Sequence, residues 1–388
     1  MRIAIYHPWI YVKSGLERTI MEIKQRSRHD IDIFTGFYDA EGTYPELKQM
    51  DVQTLKPVSV ERRYGAVIRA GFTIATTKID QSDFDAIIVS CDGLGSFINF
   101  ANPELPSLCL CFTPLRAVYD PEYRSRHLLR NPLKRFVQKS IAMVYRHIDK
   151  RAWRYYRKVF CISNEVRQRV LRGGLCDPAI IDIAYPGIDS KLRKISDQCE
   201  PFFFLPGRIM WTKNIHLAIM AFQQFKQEMK VDFSLKIAGM VDGKSQSYYQ
   251  QLRALAGDDS SIEFICDPTD SEMRDYYRRC HSVLFTAFNE DLGITPMEAG
   301  MFGKPVIAVN RGGPREIVVN EKTGLLVEPE PEAFNAAMQR LVNNPQLAGS
   351  MGQANFERSE LYTWDKFVIA IDDYLDKLGT EQQSKPTG

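Results

Sequence analysis

Two cations and two carboxylates in the second half of the chain are the residues best suited to do chemistry. In FFFLPGRIMWTKNIHLAIMAF, Arg208 and Lys213 follow an apolar run that closes on Gly207 and precede a helix-like stretch beginning near Asn214. Such a pair supplies fixed positive charge for a diphosphate, with Arg as a bidentate fork and Lys as a point charge. An ordinary surface loop with two solvated cations is the plain alternative. In FNEDLGITPMEAGMFGKPVIAVNRGGPREIV, Glu290 and Glu298 stand eight positions apart. Pro296 suits the first turn of a helix and Gly293 a tight strand-to-helix loop, which puts Glu290 in the loop and Glu298 early in the helix. Backbone N–H groups of Gly293, Ile294 and Thr295 would then face an anion, aided by the helix dipole. Glu298 can accept two hydrogen bonds from ribose hydroxyls, as acidic residues do in nucleotide sites. Gly312, Gly313 and Pro314 mark a further tight loop. A helix with capping carboxylates is the alternative here.

These residues need strands and helices to position them, and the chain alternates the two. RIAIYH, IDIFTG, DAIIVS, SLCLCF and KVFCIS read as one series of strands; FFFLPG, SLKIAG, IEFIC, SVLFTA and PVIAV read as a second. Amphipathic stretches such as HLAIMAFQQFKQEM and SEMRDYYRRC lie between them. This alternation predicts an α/β protein with two doubly wound, Rossmann-like domains, since parallel strands need covering helices. Ligands in such sheets bind beyond the carboxyl ends of strands, where Arg208, Lys213 and Glu290 fall. The join is expected in IAYPGIDSKLRKISDQCEP. LYTWDKFVIAIDDYLDKL reads as an amphipathic helix and GTEQQSKPTG as a disordered tail.

Composition sets the outer bounds. The 388 residues carry a formal net charge of +2, with 44% hydrophobic and 25% charged residues. No apolar run reaches the roughly 18 residues of a membrane-spanning helix, and the N-terminus reads as a strand rather than a signal peptide. Eight cysteines without CxxC or zinc spacing are expected as buried free thiols in a reducing cytoplasm. Asp30/Asp32 and Asp83/Asp85 have the spacing of a metal-binding pair but sit beside strand starts, and read as turn and capping residues. Neither half offers GxGxxG after its first strand, which argues against a dinucleotide oxidoreductase.

The pieces GRIMWTKN, NEDLGITPMEAGMFGKPVIAVNRGGPREIV and NEKTGLLVEP resemble the donor domain of the retaining glycosyltransferase family four, of GT-B fold. Its mark is a Glu, seven residues, then Glu, here Glu290 to Glu298. SGLERT, FTPLRAVYD, CISNEVRQR and AYPGID extend the resemblance over nearly the whole chain. It implies two Rossmann-like domains facing a cleft: 1–185, completed by the helix 362–380 and binding the acceptor, and 186–361, binding the nucleotide sugar. Arg208 and Lys213 then match the donor-phosphate pair, Glu290 the contact to the donor sugar hydroxyls, and Glu298 the ribose contact. Gly293, Ile294 and Thr295 match the backbone that holds sugar and phosphate, and Gly15 a glycine near the diphosphate, with Ser14 in place of the usual second glycine. The segment Cys266–Thr269 should meet the base. The reaction implied is transfer with retention and no metal or other cofactor, the cations and a helix N-terminus stabilising the departing diphosphate.

The first half departs from that pattern at one position. Where many relatives carry His before Thr-Pro, this chain has Phe112. Phe112 either packs on the sugar face while phosphate does the proton work, or marks a protein that binds a sugar nucleotide without fast transfer. His7 could reach the cleft or be a packed strand-end residue. Asp92 and Gly93 are candidate acceptor contacts, and Arg116 and Asp120 a matched segment or an internal ion pair. Between Arg124 and Arg172 fifteen Lys or Arg face only Asp149 and Glu165. With Leu, Phe, Trp and Tyr at helical spacings, this stretch reads as a surface for anionic membrane and a lipid-linked acceptor, as a nucleic-acid surface, or as helices with solvated cations.

The resulting expectation is a hexosyltransferase of polysaccharide biosynthesis in the cell envelope, cytoplasmic or peripheral on the inner membrane face, with no nucleic-acid partner. UDP-glucose is the first donor and GDP-mannose the second; the acceptor is a sugar or lipid-linked saccharide. The alternatives are a sugar-nucleotide epimerase or hydrolase of the same fold, told apart by free sugar or an epimer without acceptor, and a non-catalytic binding protein, excluded by any turnover.

Overall fold

The computed structural model describes residues 1–61, 63–80, 82–91, 93–126 and 131–384. The chain divides into two compact units, Met1–Pro186 with Asp365–Gly388, and Gly187–Trp364. In the first unit seven parallel strands, β1 (Arg2–His7), β2 (Asp30–Thr35), β3 (Gln53–Thr54), β4 (Ala86–Cys91), β5 (Ser107–Cys111), β6 (Tyr156–Cys161) and β7 (Ile181–Ile183), run in the order 3-2-1-4-5-6-7. In the second, β8 (Phe202–Pro206), β9 (Ser234–Gly239), β10 (Ile262–Cys266), β11 (Ser282–Phe285), β12 (Val306–Val309) and β13 (Gly324–Val327) run in the order 10-9-8-11-12-13, again all parallel. Every strand of the two series read from the sequence is present. The central strands are buried along their length, for example β4, β5, β8, β11 and β12, because helices cover both faces of a parallel sheet.

The order of each sheet reverses once, between β1 and β4 in the first unit and between β8 and β11 in the second. At such a switch point the chain leaves neighbouring strands toward opposite faces, and a crevice opens beyond their carboxyl ends. The second unit's core includes Phe203, Leu205, Phe222, Phe225, Leu284, Ile307, Phe334 and Met338, which lock the helices Ile215–Met229 and Pro331–Val342 onto this sheet.

Helix starts follow local chemistry. Ser14 and Ser163 cap the helices Gly15–Arg26 and Asn164–Gly173, and Thr269 with Glu272 forms a capping box on Asp270–Arg279. Three expectations need correction. The last helix runs from Trp364 to Gln383, so GTEQQ is helical: Gly379 packs against Met1, and Gln382 donates to the Asp85 carbonyl at 3.2 Å. Asp30 and Asp32 lie within β2 rather than at a cap, and Asp32 pairs with Arg2 at 2.9 Å. Not all thiols are buried, since Cys199 and Cys266 are exposed and Cys176 is partly so. Among the described residues no helix is long and apolar enough to cross a membrane.

Candidate functional site

The loops that leave β8, β11 and β12 are stitched into one surface at the switch point of the second sheet. After β8, Gly207 and Arg208 lead to a short 3-10 turn, Trp211–Lys213, and Asn214 takes a left-handed conformation before the helix begins at Ile215. After β11 the chain stays buried at Ala287, rises to half-exposed Asn289, Glu290 and Asp291, and is buried again at Leu292. These two apolar anchors present the intervening carboxylates to solvent on a short tether.

Hydrogen bonds to backbone carbonyls hold the loops together. Thr286 Oγ1 donates to the Lys213 carbonyl at 2.8 Å, and Phe288 N–H donates to the Thr212 carbonyl at 2.8 Å. Gly313 N–H donates to the Glu290 carbonyl at 2.9 Å. Gly312 has φ +64, and a Cβ there would lie 2.6 Å from the Glu290 carbonyl oxygen, so this close approach requires glycine. On this frame Lys213 Nζ donates to Glu290 Oε2 at 2.7 Å, with both side chains about one quarter exposed. Lys213 also lies 5.8 Å from the centre of the Phe285 ring, a cation–π contact. Arg208 is exposed, and its charge helps hold Asp242 below the ordinary carboxylate range, after the larger effect of the Ser245 hydrogen bond.

Gly293, at φ +91, caps the helix Ile294–Met301 and is buried, while Ile294 and Thr295 are half-buried at its first turn. Glu298 sits one turn on and accepts from Tyr277 Oη at 2.6 Å. Burial and the adjacent Glu298 carboxylate push the Tyr277 phenol well above its usual range, so it stays neutral and acts as a donor. Tyr277 carries little signal in the sequence; in DYYRRC only its second-of-pair position on the apolar stripe of a helix sets it apart.

Arg208, Lys213, Gly207, Glu290, Gly293, Ile294, Thr295 and Glu298 therefore belong to one unit, on loops or helix starts that follow β8 and β11. The remaining candidates belong to the other unit. Gly15 is exposed at the start of its helix. Phe112 is half-buried just after β5, its N–H donating to the Cys91 carbonyl at 3.2 Å. His7 is 2% exposed at the end of β1, and its Nδ1 is buried without a hydrogen-bond partner, which places it in the packed interior. Asp92 lies outside the described residues. Asp120 is buried and lies 3.5 Å from Arg169, a residue that the basic run gives no reason to place inside.

Within the basic stretch, residues 127–130 lie outside the described residues, and the long helix Pro132–Trp153 follows them. Its inner face carries Tyr145, Asp149, Ala152 and Trp153. Leu133, Phe136, Val137, Met143, Val144 and Ile148 are exposed, Phe136 at 69% and Met143 at 72%. At 100° per residue these six fall within an arc of roughly 140°. The cations Arg135, Lys139 and Arg146 are exposed along one flank. Apolar residues therefore face water here, where solvated cations alone were one of the expectations.

Comparison with known proteins agrees with this geometry. Residues 190–358 match the family Glycosyl transferases group 1. Over 393 aligned positions the chain is 25% identical to the mouse (Mus musculus) alpha-1,3/1,6-mannosyltransferase ALG2, covering 94% of this chain and 93% of that protein. Further curated relatives align over about half of their own length. Among solved structures, sucrose-phosphate synthase from Thermosynechococcus elongatus superposes with a TM-score of 0.77 at 17% identity, over 98% of this chain and 100% of that one. Anabaena Alr3699/HepE in complex with UDP and glucose gives 0.73 at 17% identity, over 97% and 100%. These structural likenesses show the same fold.

Proposed function

This chain belongs to the glycosyl transferases of group 1, has the GT-B fold and transfers a sugar from a nucleotide sugar, and on that premise we propose a retaining hexosyl transfer centred on Lys213 and Glu290. The observation that carries the reading is the Lys213–Glu290 pair at the switch point of the second sheet, beside the start of the helix Ile294–Met301.

Departure of a nucleoside diphosphate builds negative charge on its β-phosphate and positive charge on the sugar. Arg208 and Lys213 offer the first charge fixed cations, and the N–H groups at Gly293, Ile294 and Thr295 add the positive end of a helix dipole. Glu290 supplies negative charge near the sugar and holds Lys213 in place until phosphate competes for it. Glu298, oriented by Tyr277, keeps its second oxygen for ribose hydroxyls. The leaving phosphate oxygen takes the acceptor proton, so Phe112 in place of histidine is compatible with turnover. In this reading 1–185 with the last helix binds acceptor and 186–361 binds donor, and Gly15 stays a backbone candidate of the first unit. Asp92 and His7 stay as acceptor-side candidates, and His7 requires local opening to serve.

Of the two donors, GDP-mannose rises above UDP-glucose, because the whole-length sequence match is to a mannosyltransferase, whereas the UDP and glucose complex is a structural likeness at lower identity. The exposed apolar arc of Pro132–Trp153, flanked by cations, supports a peripheral position on the cytoplasmic face of an anionic membrane and a lipid-linked saccharide as acceptor.

Calorimetric titration with UDP, GDP and ADP in EDTA, on wild type and Lys213→Ala, tests the donor site. One diphosphate bound by wild type and lost in the variant is expected. Binding of none, or binding only with added metal, removes the donor-site reading.

A further inference from the structure

The segment that follows β5, from Phe112 to Asp120, is gripped by charged side chains of two helices. Arg169 on Asn164–Gly173 is 1% exposed, among the largest fully buried side chains of the protein. It donates Nη1–H to Thr113 Oγ1 at 2.6 Å and lies 3.5 Å from Asp120 and 3.6 Å from Glu165. One guanidinium thus reaches both the start and the end of the segment. From the helix Pro132–Trp153, Arg146 donates to the Val118 carbonyl at 3.1 Å, and Asp149 accepts from Tyr119 Oη at 2.9 Å. Asp149 also accepts from Ser96 Oγ at 2.8 Å, which ties in the turn after β4.

Burying ions costs several kcal/mol each before pairing repays it, and a connecting loop without a task is usually held by turn residues and apolar contacts. Here Arg169 and Asp120 are buried as charges, with the buried Asp149 carboxyl beside them, around a nine-residue segment that contains one helical turn, Arg116–Tyr119. Such over-determination is what a surface needs when it must keep its shape against a ligand, since a misplacement of about 1 Å at a reaction centre costs on the order of 100-fold in rate.

We propose that Arg169 is a positioning residue of the transfer reaction, which sets Phe112–Asp120 as a rigid sugar-contacting wall of the first unit. The proposal rests on the reading of Phe112 as a sugar contact. Arg169 touches neither donor nor acceptor and acts through Thr113 and Asp120.

The test compares wild type with Arg169→Met, Arg169→Lys and Thr113→Val, measuring kcat and KM for transfer, the nucleoside diphosphate Kd and the thermal unfolding midpoint. Thr113→Val is expected to lower kcat about 3–10-fold and Arg169→Met at least about 30-fold, with Kd within about twofold of wild type, because the phosphate-binding cations belong to the other unit. Arg169→Lys, which can still donate to Thr113, is expected to recover part of the loss. A folded Arg169→Met or Thr113→Val protein with wild-type kcat and KM would overturn the proposal, as would a Kd that worsens in step with kcat. If Arg169→Met does not fold, Thr113→Val decides alone. Wild type that binds no nucleoside diphosphate overturns the proposed function itself, a failure visible before any variant is compared.

Discussion

Lys213 Nζ and Glu290 Oε2 lie 2.7 Å apart although 77 positions separate the two residues in the chain. Without a ligand the cation already has an anionic partner, so a diphosphate must compete with Glu290 for it. Lys213→Ala is expected to weaken nucleoside diphosphate binding about 10–100-fold, the size of one or two charge-assisted hydrogen bonds. Glu290→Gln removes the competitor, so affinity should hold or improve while kcat falls on the order of 100-fold. Calorimetry with steady-state kinetics separates the two effects, and equal loss of affinity in both variants would make the pair a structural clamp only.

Tyr277 holds Glu298 through one hydrogen bond of 2.6 Å. Tyr277→Phe frees the carboxylate, and affinity for a ribonucleoside diphosphate should fall about 3–10-fold, near 1 kcal/mol. The 2′-deoxy analogue should lose little in the same variant. An equal loss for both ligands would detach Glu298 from the ribose.

Gly312 combines φ +64 with a Cβ direction blocked 2.6 Å away by the Glu290 carbonyl oxygen. Gly312→Ala should lower stability by about 2 kcal/mol, from left-handed backbone strain and the displaced loop. Thermal unfolding reads the first effect and loss of transfer the second. A variant with unchanged melting and turnover would show that the loop after β11 is free to move.

Asp149 is buried between Ser96 and Tyr119, and burial above all raises its carboxyl from 3.8 to about 7. A folded-state value above the unfolded one favours the protonated form. The stabilisation is complete below about pH 4 and is lost as pH rises through about 7. Raising the pH from 4 to 8 should therefore cost wild type a few kcal/mol relative to Asp149→Asn, each tenfold change in proton affinity being worth roughly 1.4 kcal/mol. Denaturant unfolding across that range checks it, and parallel curves would place the titration elsewhere.

Phe136 and Met143 lie side by side at one edge of the arc on Pro132–Trp153, both strongly exposed. Replacing both with Glu should abolish sedimentation with phosphatidylglycerol vesicles and leave nucleotide affinity unchanged. Binding by wild type should weaken in high salt, since screening removes the cationic share. Retained vesicle binding in the double variant would move the contact away from this helix.

Much of the fold was legible because parallel strands buried on both faces read as short continuous apolar runs, as in AIIVS, SLCLC and FFFLP. The residues with chemistry were legible by type, since Arg208, Lys213, Glu290 and Glu298 stand beside glycines and a proline that end strands and begin helices. Short strands such as β3 and β7 escaped, having too few residues to show a period. So did the helical character of GTEQQ, which depends on Met1 and Asp85, about 300 positions or more away in the chain, meeting it.

Local pattern along the chain specified the class of fold and the kinds of side chain available at the strand ends. Tertiary structure decided which of those side chains meet. Strand order brings the loops after β8 and β11 together, and with them Lys213 and Glu290. Helix packing chooses which face of Pro132–Trp153 is buried, leaving Phe136 and Met143 in water and Asp149 inside. Arg169 reads as one more cation in a basic run, and only the pairing of Thr113 and Asp120 around it takes it into the interior. Periodicity states how residues repeat along an element, but burial and partnership arise between elements distant in the chain.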